Sequence, residues 1–145
     1  MTFMSRFADE ALGVLRIVAG LLFMQHGVQK LFGWLGGFGG TPGGTAELFS
    51  LMGLAGVLET FGGLLIVLGL LTRPVAFILA GEMVVAYFMA HLPNGFFPIQ
   101  NGGEPAVLYC FIYLALLANG PGAFSIDRAM NREPAAVRSA TEGVH

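Results

Sequence analysis

The stretch LRIVAGLLFMQHGVQKLFG, residues 15–33, is apolar for the length of a membrane crossing yet holds Arg16, His26 and Lys30. A helix of about 20 apolar residues spans the ~30 Å hydrocarbon core of a bilayer. An ionisable side chain inside it costs roughly 2.5 to 3.5 kcal/mol on insertion scales, so a chain keeps one only where it pairs or works. Three further apolar runs follow. Glu59 lies in the second, Glu82 in the third and His91 where the third ends, while the fourth carries no charge.

The composition agrees with a membrane solvent. Of 145 residues, 55% are hydrophobic and only 11% charged, too little polar chemistry to coat a water-soluble globule. The 22 glycines suit close helix packing in lipid. These features predict an all-α protein, a four-transmembrane-helix bundle over residues 1–128, with spans at about 11–32, 46–71, 74–92 and 105–119. A polar tail over 129–145 reads as disordered. Gly33 and the glycine-rich 34–44 end the first span, Thr72-Arg73-Pro74 turns the second into the third, and Pro93-Asn94-Gly95 breaks the third. Glu104-Pro105 opens the fourth, and Asn119-Gly120-Pro121-Gly122 closes it.

Basic residues set the orientation. Arg6, Arg73, Arg128, Arg132 and Arg138 fall on the side of both termini and of the turn between the second and third spans, which predicts both termini cytoplasmic in the cell membrane. The opposite connections, 33–45 and 93–104, have no Lys or Arg but carry Trp34, Phe38, Phe96 and Phe97, which read as interfacial anchors or as a lid over a lipophilic ligand. The first span is long and lacks an A-x-A cleavage site, so it reads as an anchor rather than a signal peptide. With net charge -2 and no basic stripe, nucleic acid is not an expected partner. A single cysteine, Cys110, leaves no internal disulfide, Cys-pair redox motif or zinc site.

Arg16, Gly20, Phe23, Gly27 and Lys30 recur at helical steps, so one stripe of the first span should face protein, and Gly53, Gly56, Glu59 and Gly62-Gly63 form a similar stripe in the second. By the 1.5 Å rise, Glu59 and Glu82 lie near mid-span and Arg16 roughly 7 Å toward the terminal side. The expectation is an ion-paired network of Arg16 with Glu59, Glu82 or both, the surplus carboxyl holding a proton; these three are the candidate catalytic residues. His26 and His91 should approach each other near the outer surface, as a quinone-binding or proton-relay pair, as helix-end hydrogen-bonding residues, or as a haem or metal pair. Lys30 reads as snorkelling to headgroups, or as attracting an anionic substrate. Gln29 and Tyr87 join His26, Lys30 and His91 as candidate cofactor-binding residues; no metal site is assigned.

The segments LRIVAGLLFMQHGVQKLFG, GVLETFGGLLIVLGLLTRP and NGGEPAVLYCFIYLALLANGPGAFSID, taken in order, resemble the DoxX family of small four-helix membrane proteins over about residues 11–128. The signals are HG-x-x-K-x-F-G from His26, E-x-x-GG then LTRP from Glu59, the central Glu82, NGGE at 101–104 and GPG-x-F-S-x-D at 120–127. The resemblance implies quinone-linked oxidoreduction, the name-giving members being subunits of a thiosulfate:quinone oxidoreductase, and it transfers no catalytic roles to single residues. The chain lacks a cysteine motif, a flavin fingerprint and a dinucleotide-binding loop, so electron flow would require quinone, a bound cofactor or a soluble redox partner subunit. The expectation is a subunit binding a quinone or similar lipophilic molecule, with His26 and His91 at its head and Arg16, Glu59 and Glu82 managing protons. The rivals are a small proton- or anion-coupled transporter, favoured by a homo-oligomer with interfacial cavities, and a non-catalytic anchor whose inner charges fix helix register.

Overall fold

The computed structural model describes residues 3–130, so the tail expected from 129 onward, with Arg132 and Arg138, lies outside the described residues beyond Met130. Four apolar helices run up and down: α1 (Ala8–Phe32), α2 (Leu51–Leu68), α3 (Thr72–Asn94) and α4 (Glu104–Asn119). No strand occurs among the described residues. The first three are long and apolar enough to cross a membrane, whereas α4, at 16 residues, spans only about 24 Å.

Local chemistry places the helix ends. Gly33 closes α1 in the left-handed region at φ 68°. α2 starts five residues later than expected because Ser50 caps it, its Oγ accepting from Gly53 N at 3.1 Å, while Ala46 N is still held by the carbonyl of Lys30 at 2.8 Å. Gly69, at φ 64°, ends α2, so the tight turn lies at 69–71 and Thr72-Arg73-Pro74 forms the first turn of α3, where proline needs no N–H partner. Asp127 caps that turn from a distance: its two carboxylate oxygens accept from Leu71 N and Thr72 N, both at 2.8 Å. Arg73 Nη1 donates to the carbonyls of Leu117 (2.6 Å) and Ala118 (3.1 Å), at the end of α4.

α1 packs on α2 through the expected glycine stripes; a Cβ on Gly63 would stand 2.6 Å from Met24 Cγ, and one on Gly20 2.7 Å from Val67 Cγ2. α3 packs on α4, and the two pairs share one core in which Phe23, Leu79, Tyr113 and Leu116 are fully buried. Ala123 N donates to the carbonyl of Asp9 at 3.1 Å and Arg128 forms an ion pair with the Asp9 carboxylate. The two ends of the described chain therefore share one end of the bundle with the 69–71 turn. We call it the terminal end. The loops at 33–50 and 95–103 make the other, the loop end.

Two helices are interrupted by a π-helical turn, Leu58–Gly62 in α2 and Tyr87–His91 in α3. Such turns occur often at functional sites because the extra residue breaks the regular ladder and re-aims side chains. One carries Glu59 and the other His91.

Candidate functional site

On the loop side of Phe23 the two helix pairs separate and leave a cavity of about 540 Å³. That is within the size range of small-molecule sites. Its wall is mostly aliphatic, with five acidic or basic side chains from three helices: His26 and Lys30 of α1, Glu59 of α2, and Glu82 and His91 of α3. Five of the eight predicted site residues are thus brought together.

Lys30 reaches inward, placing Nζ 2.7 Å from Glu59 Oε2 and 3.0 Å from Oε1. The two side chains are only 15% and 7% exposed, so the pair is a desolvated, hydrogen-bonded one and not a surface bridge. The expected snorkelling of Lys30 is therefore not seen. Glu82 differs from Glu59 in having no hydrogen-bond partner among the described residues, both of its carboxyl oxygens being enclosed. A buried polar group left unsatisfied is costly, and a ligand is one of the few reasons for a chain to keep one.

The histidines are held differently. His91 Nδ1 lies 3.2 Å from the carbonyl of Asn101, an acceptor only, so Nδ1–H donates and the neutral ring keeps its lone pair at Nε2. Asn101 is itself anchored, its Nδ2 donating to Gly95 O at 2.9 Å and its Oδ1 accepting from Gly103 N at 2.8 Å. His26 stands edge-on to Tyr109 of α4, with ring centroids 6.3 Å apart. Among the described residues no three His, Cys, Asp or Glu side chains converge as a metal-binding group.

Three further expectations need correction. Arg16 does not meet Glu59 or Glu82. Its guanidinium is fully buried at the terminal end and donates to the carbonyls of Pro121, Ala123 (3.1 Å) and Phe124 (2.8 Å). A helical side chain leans toward its own N-terminus, which carries Arg16 away from mid-span and toward the 120–124 loop. Gln29 is not in the cavity wall; its Nε2 donates to Leu35 O at 3.2 Å and ties down the loop after α1. Tyr87 is also outside the wall and stands behind His91, with ring centroids 6.5 Å apart, its hydroxyl accepting from Asn101 Nδ2 at 3.3 Å.

Sequence reasoning missed Tyr109 and Gly81 in the wall and the role of Asn101. Asn101 had a signal, since it opens the NGGE motif and an Asx residue before two glycines holds its own backbone in a turn. Tyr109 is one apolar-run aromatic among several and had none.

The sequence model of the DoxX family matches residues 11–92 of this chain. An uncharacterized protein of Haemophilus influenzae is 39% identical over 130 residues, covering 88% of this chain and 96% of that protein. The inner membrane protein YqjF of Escherichia coli is 31% identical over 139 residues, covering 90% and 99%. An uncharacterized membrane protein of Mycobacterium tuberculosis, Rv3486, is 29% identical over 137 residues, covering 84% and 82%. No solved structure matches.

Proposed function

The chain belongs to the DoxX family of membrane proteins, and we propose that within it the protein is a subunit that binds a quinone, or a lipophilic molecule of similar head chemistry, in the cavity between its helix pairs. One observation carries the reading: an apolar cavity that holds a carboxyl group with no hydrogen-bond partner among the described residues. A quinone supplies a lipid-soluble carrier of two electrons and two protons, with two oxygens at opposite edges of a flat ring. Glu82 offers an unspent carboxyl to one such oxygen. His91, fixed by Asn101, offers Nε2 as an acceptor for a hydroxyl proton, and His26 adds a second imidazole on the α1 wall. The Lys30–Glu59 pair places a fixed dipole beside them and, being internally satisfied, need not move.

Electrons have to come from elsewhere, so the reading includes a redox partner subunit. The cavity closes toward the terminal end at Phe23, Tyr113 and Leu116, each fully buried, which favours a binding site over a transport path. With Arg73 and Arg128 at the terminal end, that end is proposed to be cytoplasmic.

Titration of a short-chain quinone into the detergent-purified protein tests the reading. Glu82→Leu is expected to weaken quinone binding about tenfold, and His91→Ala to weaken binding of the corresponding quinol about tenfold, each the loss of one hydrogen bond in a dry site. Unchanged affinity in both variants would remove the proposed site.

A further inference from the structure

Glycine in a helix interior costs stability relative to alanine, so each one invites a reason. Eight glycines lie within the four helices, and seven have one: a Cβ at Gly13, Gly20, Gly27, Gly53, Gly56, Gly62 or Gly63 would press on another segment, at 3.0 Å for Gly56 and closer elsewhere. Gly81 is the exception. A Cβ there would meet nothing within 4 Å, although the residue lies in mid-helix and its backbone is in the right-handed helical region of α3.

Its neighbours supply the reason. Ile78, Gly81, Glu82, Val85 and Met89 recur at helical steps along one face of α3, and all five line the cavity. The flanking apolar members are half exposed, Ile78 at 51%, Val85 at 47% and Met89 at 61%, so the cavity opens sideways between them to the acyl chains. The next residue, Glu82, holds the enclosed carboxyl that has no hydrogen-bond partner among the described residues. Of the positions around Glu82 on this face, Ile78 and Val85 carry side chains and Gly81 carries none.

We propose that Gly81 is the seat of the ligand's flat head: the bare backbone of α3 admits a ring entering laterally from the bilayer and brings its oxygen to Glu82. The inference rests on the quinone-site reading and adds to it a residue that sets how large a ring the site accepts.

The test uses the full chain in detergent with a single-ring benzoquinone and a two-ring naphthoquinone as probes, bound affinity and thermal unfolding being read together. Gly81→Ala should unfold no earlier than the parent and weaken the two-ring probe several-fold more than the single-ring one. Gly81→Leu should weaken both at least tenfold. Phe77→Leu, which alters an exposed side chain outside the cavity wall, should leave both unchanged. If the parent binds neither probe, the quinone reading and the seat fall together. If the parent binds, Glu82→Leu weakens binding and Gly81→Leu does not, the reading stands and the seat is overturned. Equal losses in Gly81→Leu and Phe77→Leu would also overturn it.

Discussion

Arg16 and Lys30 are two cations on one helix, the first buried and the second half-buried, and they are satisfied in opposite ways. Arg16 is spent on three backbone carbonyls of the 120–124 loop and, among the described residues, makes no ion pair with a carboxylate, while Lys30 is spent on the carboxylate of Glu59. Side-chain direction explains both. Each leans toward the N-terminus of α1, so Arg16, near the start, leans out to the terminal end, and Lys30, near the finish, leans back toward mid-span. Glu59 sits on the antiparallel α2 and leans toward the loop end, which is toward Lys30. The terminal end is thus a closed structural hub, and the cavity is a place where one acid, Glu82, is left over.

The largest expected effect breaks the hub. Arg16→Met removes every hydrogen bond that the guanidinium makes to the 120–124 loop and leaves its carbonyls unsatisfied, which should destabilise the protein by about 3–5 kcal/mol. Thermal or denaturant unfolding in detergent reads this. The fraction that stays folded should bind quinone as the parent does. Weaker binding with unchanged stability would instead return Arg16 to the cavity and erase the contrast.

Next in size is the pair in the cavity wall. Lys30→Met strands the Glu59 carboxylate in a site that is 7% exposed, and should cost about 3 kcal/mol in the same unfolding measurement. The double variant with Glu59→Gln should recover most of that loss, because the penalty is the unpaired charge and not a missing contact. Additive losses would mean that the two residues act independently. Lys30 would then have the headgroup role that its sequence position suggests.

The sequence made the four spans and the glycine stripes legible because both are local: hydropathy over a window and spacing at 3.6 residues per turn. The polar partners were another matter. Counting charges by depth pairs Arg16 with the glutamates, since carboxylates are visible in a sequence as acceptors and backbone carbonyls are not. The carbonyls that hold Arg16 are exposed to it only because Gly120-Pro121-Gly122 cannot continue α4, so its partner is a helix ending and not a residue type. Lys30 was within reach of sequence reasoning, had the lean of its side chain been applied to its place late in α1. His26, Glu59, Glu82 and His91 were legible as ionisable groups in apolar runs. Two of them, Glu59 and His91, sit in π-helical turns which no spacing rule announces.

A smaller effect sharpens the terminal end. Asp127→Ala withdraws both acceptors from Leu71 N and Thr72 N and should cost about 1–2 kcal/mol, as for loss of a helix N-cap, with no change in ligand affinity. Asn at this position should cost less, since one oxygen remains to accept.

The smallest effect separates burial from charge. Asp9 and Arg128 make a two-contact ion pair at the same end, yet both side chains are 42% exposed, and solvent screens what the geometry offers. Asp9→Asn should therefore shift stability by no more than about 0.5 kcal/mol, and less still in high salt. The salt dependence is the decisive part. Arg16, enclosed and paired with dipoles, should show none over the same range, so a hub whose stability fell with ionic strength at both positions would be held by surface charge and not by the buried guanidinium.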